Sequence, residues 1–260
     1  MLSRSRSIWL FLAPGFLLIA LLALPLVALV WKTASQDFIA YAFSPNALLA
    51  LRLSLLTSSL SVGFAILTGT PLAYGMARWK FKGRTWLELL IDLPVVLPPS
   101  VAGLGLLIAF GRQGLFGGPL NAIGVSLPFT TVAVVMAQSF VSAPLYVRAA
   151  RIGFAEIDHQ LEESAFVEGA NYWQLFYYIM LPLARRALIS GAILCWARAL
   201  GEFGATILFA GNLEGRTQTM PLAIYLSLER GLGTALALSL ILICVSVIIL
   251  ALMRYLDQQH

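Results

Sequence analysis

Residues 8–31 carry no charged side chain, and Arg4 and Arg6 stand just ahead of them. Hydrocarbon offers no water to backbone polar groups, so a chain entering it must pair its own N–H and C=O groups, as a helix of about 20 apolar residues does. The run is too long for a cleaved leader, and no small-x-small site closes it. It is therefore expected to be a first membrane span, shortened or kinked by Pro14 and Pro25 near its ends. Further apolar stretches follow at about 49–76, 86–110, 129–147, 187–210 and 234–253. With 60% hydrophobic and only 11% charged residues, the chain has more apolar surface than one soluble core could bury. The expected fold is all-α: a polytopic membrane protein with six transmembrane helices, forming one domain over 1–260 in contact with membrane lipid.

The basic residues give that domain a direction. Arg4, Arg6, Arg78, Lys80, Lys82, Arg84, Arg148, Arg151, Arg185, Arg186 and Arg254 fall on one side of the six spans, leaving Arg198 within a span and the other basic residues opposite. Positive charge is retained on the cytoplasmic side, so both termini are expected there, in a cell membrane. The net charge of +5 would suit nucleic acid if it were clustered, but it is dispersed over span ends and no nucleic-acid partner is expected. Lys32 to Pro45, including Gln36 and Asp37, is an expected external segment, as are the turn-rich residues 111–128 and 211–225.

Several polar features interrupt the spans. Ser54, Thr57, Ser58, Ser59, Ser61, Thr68 and Thr70 suit a helix packed against others or facing a pore. Arg84, Glu88 and Asp92 recur every fourth residue and can pair along one helix face. Pro94, Pro98 and Pro99 are expected to break the third span, and broken helices survive in a membrane only where protein or water satisfies the freed groups. Arg198 and Glu202, also four apart, can pair within the fifth span; a buried charge there points to gating or to shaping a pathway, with a purely structural pair as the alternative. Arg216, Thr217, Gln218 and Thr219 offer donors that could hold an oxyanion or a docking protein, as an ordinary solvated turn also would.

One stretch, 161–183, mixes carboxylates with apolar residues at helical spacing. Leu161, Ala165 and Gly169 share a stripe while Glu162, Glu163 and Glu168 point elsewhere. Asp158 is placed to cap such a helix and Gly169 to end it in a left-handed turn. An aromatic run follows and is expected to stop at Pro182.

Glu163, Ser164, Ala165, Gly169, Ile179, Leu181 and Pro182 resemble, at every spacing, the signature cytoplasmic loop of permease subunits of binding-protein-dependent ABC importers; Ser164 departs from the usual Ala. That resemblance implies a type I importer (MetI-like) fold, a cytoplasmic coupling loop at about 151–186, and ATPase coupling through Leu161, Glu162, Glu163, Ser164, Ala165, Gly169 and Ala170. It further implies a homodimer with a pathway at its two-fold interface, two copies of a separate ABC ATPase subunit carrying ATP and Mg, and an external substrate-binding protein. Pro94, Pro98 and Pro99 look like the family's third-span pathway segment. The run 197–205 (ARALGEFGA) resembles the oxyanion branch, and 211–225 resembles molybdate permeases more than sulfate or thiosulfate permeases, with tungstate also compatible.

Catalytic patterns are missing. Lys32, Lys80 and Lys82 follow Trp, Trp and Phe, so no Gly-Lys pair exists to cradle phosphates. Neither Gly-x-Ser-x-Gly nor His-Glu-x-x-His occurs; the histidines are His159 and His260, and Cys195 and Cys244 lie in apolar runs unsuited to a metal site. An enzyme is not expected, and neither a resident cofactor nor a metal. A secondary transporter would show an inverted repeat and mid-membrane ionisable groups, of which only Arg198 with Glu202 qualifies. An intramembrane enzyme would need a nucleophile and base that the spans lack.

Overall fold

The computed structural model describes residues 3–34 and 38–258, with side chains for 15–33, 38, 41–229 and 231–251. Gln36, Asp37 and His260 lie outside the described residues, as do the side chains of Arg4, Arg6, Pro14 and Arg254.

The described residues are helical with no strand. In order they form α1 (Ser3–Ala34), α2 (Phe38–Ala42), α3 (Pro45–Arg78), α4 (Arg84–Val96), α5 (Pro99–Phe110), α6 (Gly117–Ala122), α7 (Thr131–Ala155), α8 (His159–Val167), α9 (Tyr172–Gln174), a π-helical stretch (Leu175–Met180), α10 (Leu181–Leu200), α11 (Gly204–Phe209), α12 (Met220–Arg230) and α13 (Leu232–Gln258). Five helices are long and apolar enough to cross a membrane, and the pair α4 and α5, bent by 116°, makes a sixth if counted as one span. The pair does cover the length of α7. Glu88 of α4 meets Arg151 near the end of α7, while Leu106 of α5 packs in a cluster with Ala133 and Val134 near its start.

The middle of the fold is α7, packed on α3 along one side and α10 along the other. Hydrocarbon is as apolar as leucine, so helices in it associate through close approach and internal hydrogen bonds rather than by escaping water. The contacts have that character. Ala65, Ala73, Ala150, Ala184 and Cys195 are buried around Tyr146 and Phe154. The Tyr146 and Thr70 hydroxyls lie 2.5 Å apart, and Ser61 Oγ bonds to Gln138 Oε1 at 3.3 Å between α3 and α7. The hydroxyl-rich face of α3 is thus a packed face: Ser54, Thr57, Ser58, Ser61 and Thr70 are buried. Thr68 and Ser59 face outward.

By contrast, the crossing window of α1 contains no buried residue, and α13 is the element it packs on most. Helix α1 runs from Ser3 to Ala34 through both Pro14 and Pro25, so the expected shortening of this span is not found.

Three other expectations are corrected. Pro94 sits inside α4 and breaks nothing; the break falls at Leu97 and Pro98, and Pro99 opens α5, where a missing amide costs no bond. The apolar stretch 187–210 is not one helix: α10 ends at Leu200 and α11 restarts at Gly204. Pro182 does not stop the helix that begins at Tyr172. The Leu181 amide bonds back to Phe176 O, one residue further than in an α-helix, so Pro182 enters where the regular ladder is already suspended.

Candidate functional site

The charged residues of α4 find their partners at one end of the fold. Arg84 Nε lies 3.0 Å from Glu88, which also takes Arg151 Nη1 at 2.5 Å, and Arg148 lies 2.9 Å from Asp92. Asp92 therefore finds its partner on α7 rather than along its own helix. The same end holds α8.

Helix α8 is built as its sequence predicts. Asp158 accepts from the Gln160 amide at 3.0 Å, and Gly169 turns the chain with φ +88°. The Gly169 and Ala170 amides then close on Phe166 O and Ala165 O at 3.0 and 2.9 Å. Asn171 and Gln174 form a reciprocal capping box that starts the next helix, a start that the expectations above do not include although the Asn-x-x-Gln spacing signals it. Leu161, Glu163, Ser164 and Gly169 are exposed, Glu162 and Ala170 partly so. Ala165, expected within a stripe offered for docking, is instead seated against the core near Leu175 and Met180. Leu161, Ala165, Gly169, Ala170, Gln174 and Tyr178 line a shallow cup of about 490 Å³ beside α8. Glu162 turns inward, its Oε1 2.7 Å from Arg78 Nε at the end of α3.

The two breaks meet deeper in the fold. A Cβ on Gly204 would lie 2.7 Å from Pro99 Cβ, and one on Gly103 would lie 2.8 Å from Ala205 O, so the start of α11 rests directly on the start of α5. Beside this contact Arg198 Nη1 pairs with Glu202 Oε2 at 2.7 Å, and Glu202 Oε1 accepts from the Ala205 amide at 2.8 Å. Glu202 is 1% exposed. Sequence reasoning named Pro98, Pro99, Arg198 and Glu202 separately; the structure brings them to one place. Pro94 stands apart, lining a cavity of about 600 Å³ with Phe64, Leu106, Met136 and Pro144 between α3, α5 and α7. The α5–α11 contact leaves no room for a side chain on Gly103. Gly103→Val is expected to destabilise the protein by about 1–3 kcal/mol, read as a lower unfolding midpoint in detergent. Gly105→Val, where a Cβ meets nothing within 4 Å, is the matched control.

At the opposite end, residues 211–219 form a compact turn. Leu213 O accepts from the amides of Arg216, Thr217 and Gln218, and Thr217 Oγ1 accepts from the Leu213 amide at 2.9 Å. Thr217, Gln218 and Thr219 are buried, so of the four donors expected to face outward only Arg216 does. The expected loop 211–225 also ends early, because α12 begins at Met220, whose amide donates to Ser54 Oγ of α3 at 2.7 Å. Among the described residues no group of three or more His, Cys, Asp or Glu side chains could hold a metal.

Comparison with known proteins agrees with this architecture. A crystal structure of a bacterial ABC transporter involved in the import of the acidic polysaccharide alginate superposes with a TM-score of 0.82 over 98% of this chain and 96% of that one. At 19% identity it shares the fold. The probable transport system permease protein NifC of Clostridium pasteurianum is 36% identical over 94% of this chain and 86% of its own length. The molybdenum transport system permease protein ModB of Mycobacterium tuberculosis is 41% identical over 84% and 82%. The model of the binding-protein-dependent transport system inner membrane component matches residues 69–259, most of the folded spans together with the capped helix and both helix breaks. The chain belongs to that family, the membrane-embedded permeases of ABC importers.

Proposed function

We propose that this chain is the permease subunit of an ATP-driven importer that moves a tetrahedral oxyanion, molybdate, across a cell membrane. It acts as a homodimer, with α8 and both termini on the cytoplasmic side. Two copies of a separate ATPase subunit, which bring ATP and Mg²⁺, engage α8, and an external binding protein delivers the anion at the end marked by Arg216.

One observation carries the reading: α8 is a helix capped at both ends, with Leu161, Glu163, Ser164 and the capping residue Glu168 outward. No basic side chain forms a salt bridge with Glu163 or Glu168 among the described residues, so the helix offers negative charge to a basic surface on a partner. The substrate class is supported by the name of the Mycobacterium tuberculosis relative and by the local resemblance of 197–205 and 211–225. Pro98, Pro99, Arg198 and Glu202 form the gate, since breaks in two neighbouring helices allow rigid halves to move about a hinge.

The test is uptake of labelled molybdate into proteoliposomes holding the permease, its ATPase and its binding protein. Uptake is expected to require ATP and both partners, with tungstate competing and an equal concentration of sulfate not. Uptake without the ATPase would establish an ion-coupled carrier instead, and uptake of sulfate in preference would move the chain to the sulfate and thiosulfate group.

A further inference from the structure

An ATP-driven importer needs the motion of its motif helix to reach the membrane spans, yet α8 has little holding it. Ala165 is its one buried residue. No other element packs extensively along its backbone. What grips it is the guanidinium of Arg78. Nε lies 2.7 Å from Glu162 Oε1, Nη2 donates to Ile157 O at 2.8 Å, and Nη1 lies 3.4 Å from the His159 ring nitrogens. One side chain thus holds the turn before α8, its first residue and its first full turn. The Arg78 side chain is 2% exposed and that of Glu162 15%, less than the 36% and 30% of the Arg84–Glu88 pair. The Nε–Glu162 contact is an attraction of opposite charges rather than an aligned hydrogen bond, and the planar guanidinium adds the Ile157 bond that fixes its direction.

Arg78 is the last residue of α3. The final turns of α3 are wedged by Tyr74, whose ring meets Phe154 at 5.4 Å and Phe176 at 5.1 Å. From Ser54 to Arg78 the helix rises about 36 Å at 1.5 Å per residue. At the far end of that rise the buried Ser54 hydroxyl holds the Met220 amide, next to the turn 211–219.

We propose that Arg78 is the positioning residue that locks α8 to α3, so that α3 carries displacement of the motif helix to the 211–220 segment at the opposite end. The inference rests on the ATP-driven function and fails separately from it. If no ATPase associates with the parent protein, that function is wrong; the outcomes below assume an assembled, active parent complex.

Arg78→Gln, Arg78→Lys and the exchange Arg78→Glu with Glu162→Arg are reconstituted with ATPase and binding protein. In Arg78→Gln, ATPase binding and hydrolysis are expected to stay within about twofold of the parent while anion moved per ATP falls about tenfold, within the usual range of coupling between sites. Arg78→Lys is expected to fall between, and the exchange to recover most of the loss. Unchanged uptake per ATP in Arg78→Gln, or parallel loss of ATPase binding and uptake, overturns the proposal. Should these variants not fold, spin labels decide it in a chain retaining Arg78. With Cys244→Ser, labels on Val167→Cys and Leu67→Cys, both on exposed sites, are expected to keep one separation through the nucleotide cycle. A separation that changes by several ångströms would show α8 moving independently of α3.

Discussion

Replacing Gly169 by valine is expected to lower anion uptake about tenfold while the partner's ATP hydrolysis continues, the cost being that of a left-handed conformation, about 1–2 kcal/mol for an ordinary residue and more for a β-branched one. The backbone alone sets this cost, because a Cβ at Gly169 would meet nothing within 4 Å. A valine that refuses φ +88° opens the Gly169 and Ala170 amide bonds that close the end of α8. The last turn then frays, and a frayed lever absorbs the motion it should pass on. Gly169→Asn is expected to keep near-parent uptake, since asparagine tolerates the left-handed region. Uptake and hydrolysis measured together in proteoliposomes check the pair, and a valine variant with parent uptake per ATP would remove α8 from the coupling route.

The second large effect lies at the buried ion pair. Arg198→Ala leaves the Glu202 carboxylate, 1% exposed, with the Ala205 amide as its remaining partner in the structure. Stranding a buried charge costs about 3–5 kcal/mol in a fully enclosed site. The Arg198 side chain is 34% exposed, which softens the loss. About 2–3 kcal/mol is expected, seen as a clearly lower unfolding midpoint in detergent. The double variant Arg198→Gln with Glu202→Gln keeps hydrogen bonding and discards both charges. Its stability is expected to return to within about 1 kcal/mol of the parent, while uptake is expected to stay low if the proposed gate needs both charges. Recovery of uptake together with stability would make the pair structural and nothing more.

What could be read from the sequence depended on how local the cause was. Asp158 capping α8 and Gly169 ending it need only a few neighbouring residues, and both are found where the spacing puts them. The break before Pro99 follows from the pyrrolidine ring and the restriction it imposes on the preceding residue. The hydropathy of the long stretches was enough for the all-helical membrane fold. What escaped depends on distant partners. The break after Leu200 was foreshadowed by two glycines at 201 and 204, but only the approach of Pro99 and the Glu202 bond to the Ala205 amide make it necessary. Thr217 and Thr219 are polar and looked external; they are buried in a turn that folds upon Leu213 and α3. Nor does any local pattern join Arg78 to Glu162, which in the sequence are one more inside charge and one more motif carboxylate.

The wide turn at Leu175–Met180 sets a relation that no single side chain there controls. An extra residue in one turn rotates everything beyond it by roughly 100°, the angular step of an α-helix. The aromatic half of this rod and the half that lies along α7 are therefore out of phase by design. Removing that residue would leave every chemical group of α10 intact and aim them all at the wrong neighbours, so residues 175–180 preserve a spacing as well as the core contacts of Leu175, Phe176 and Met180.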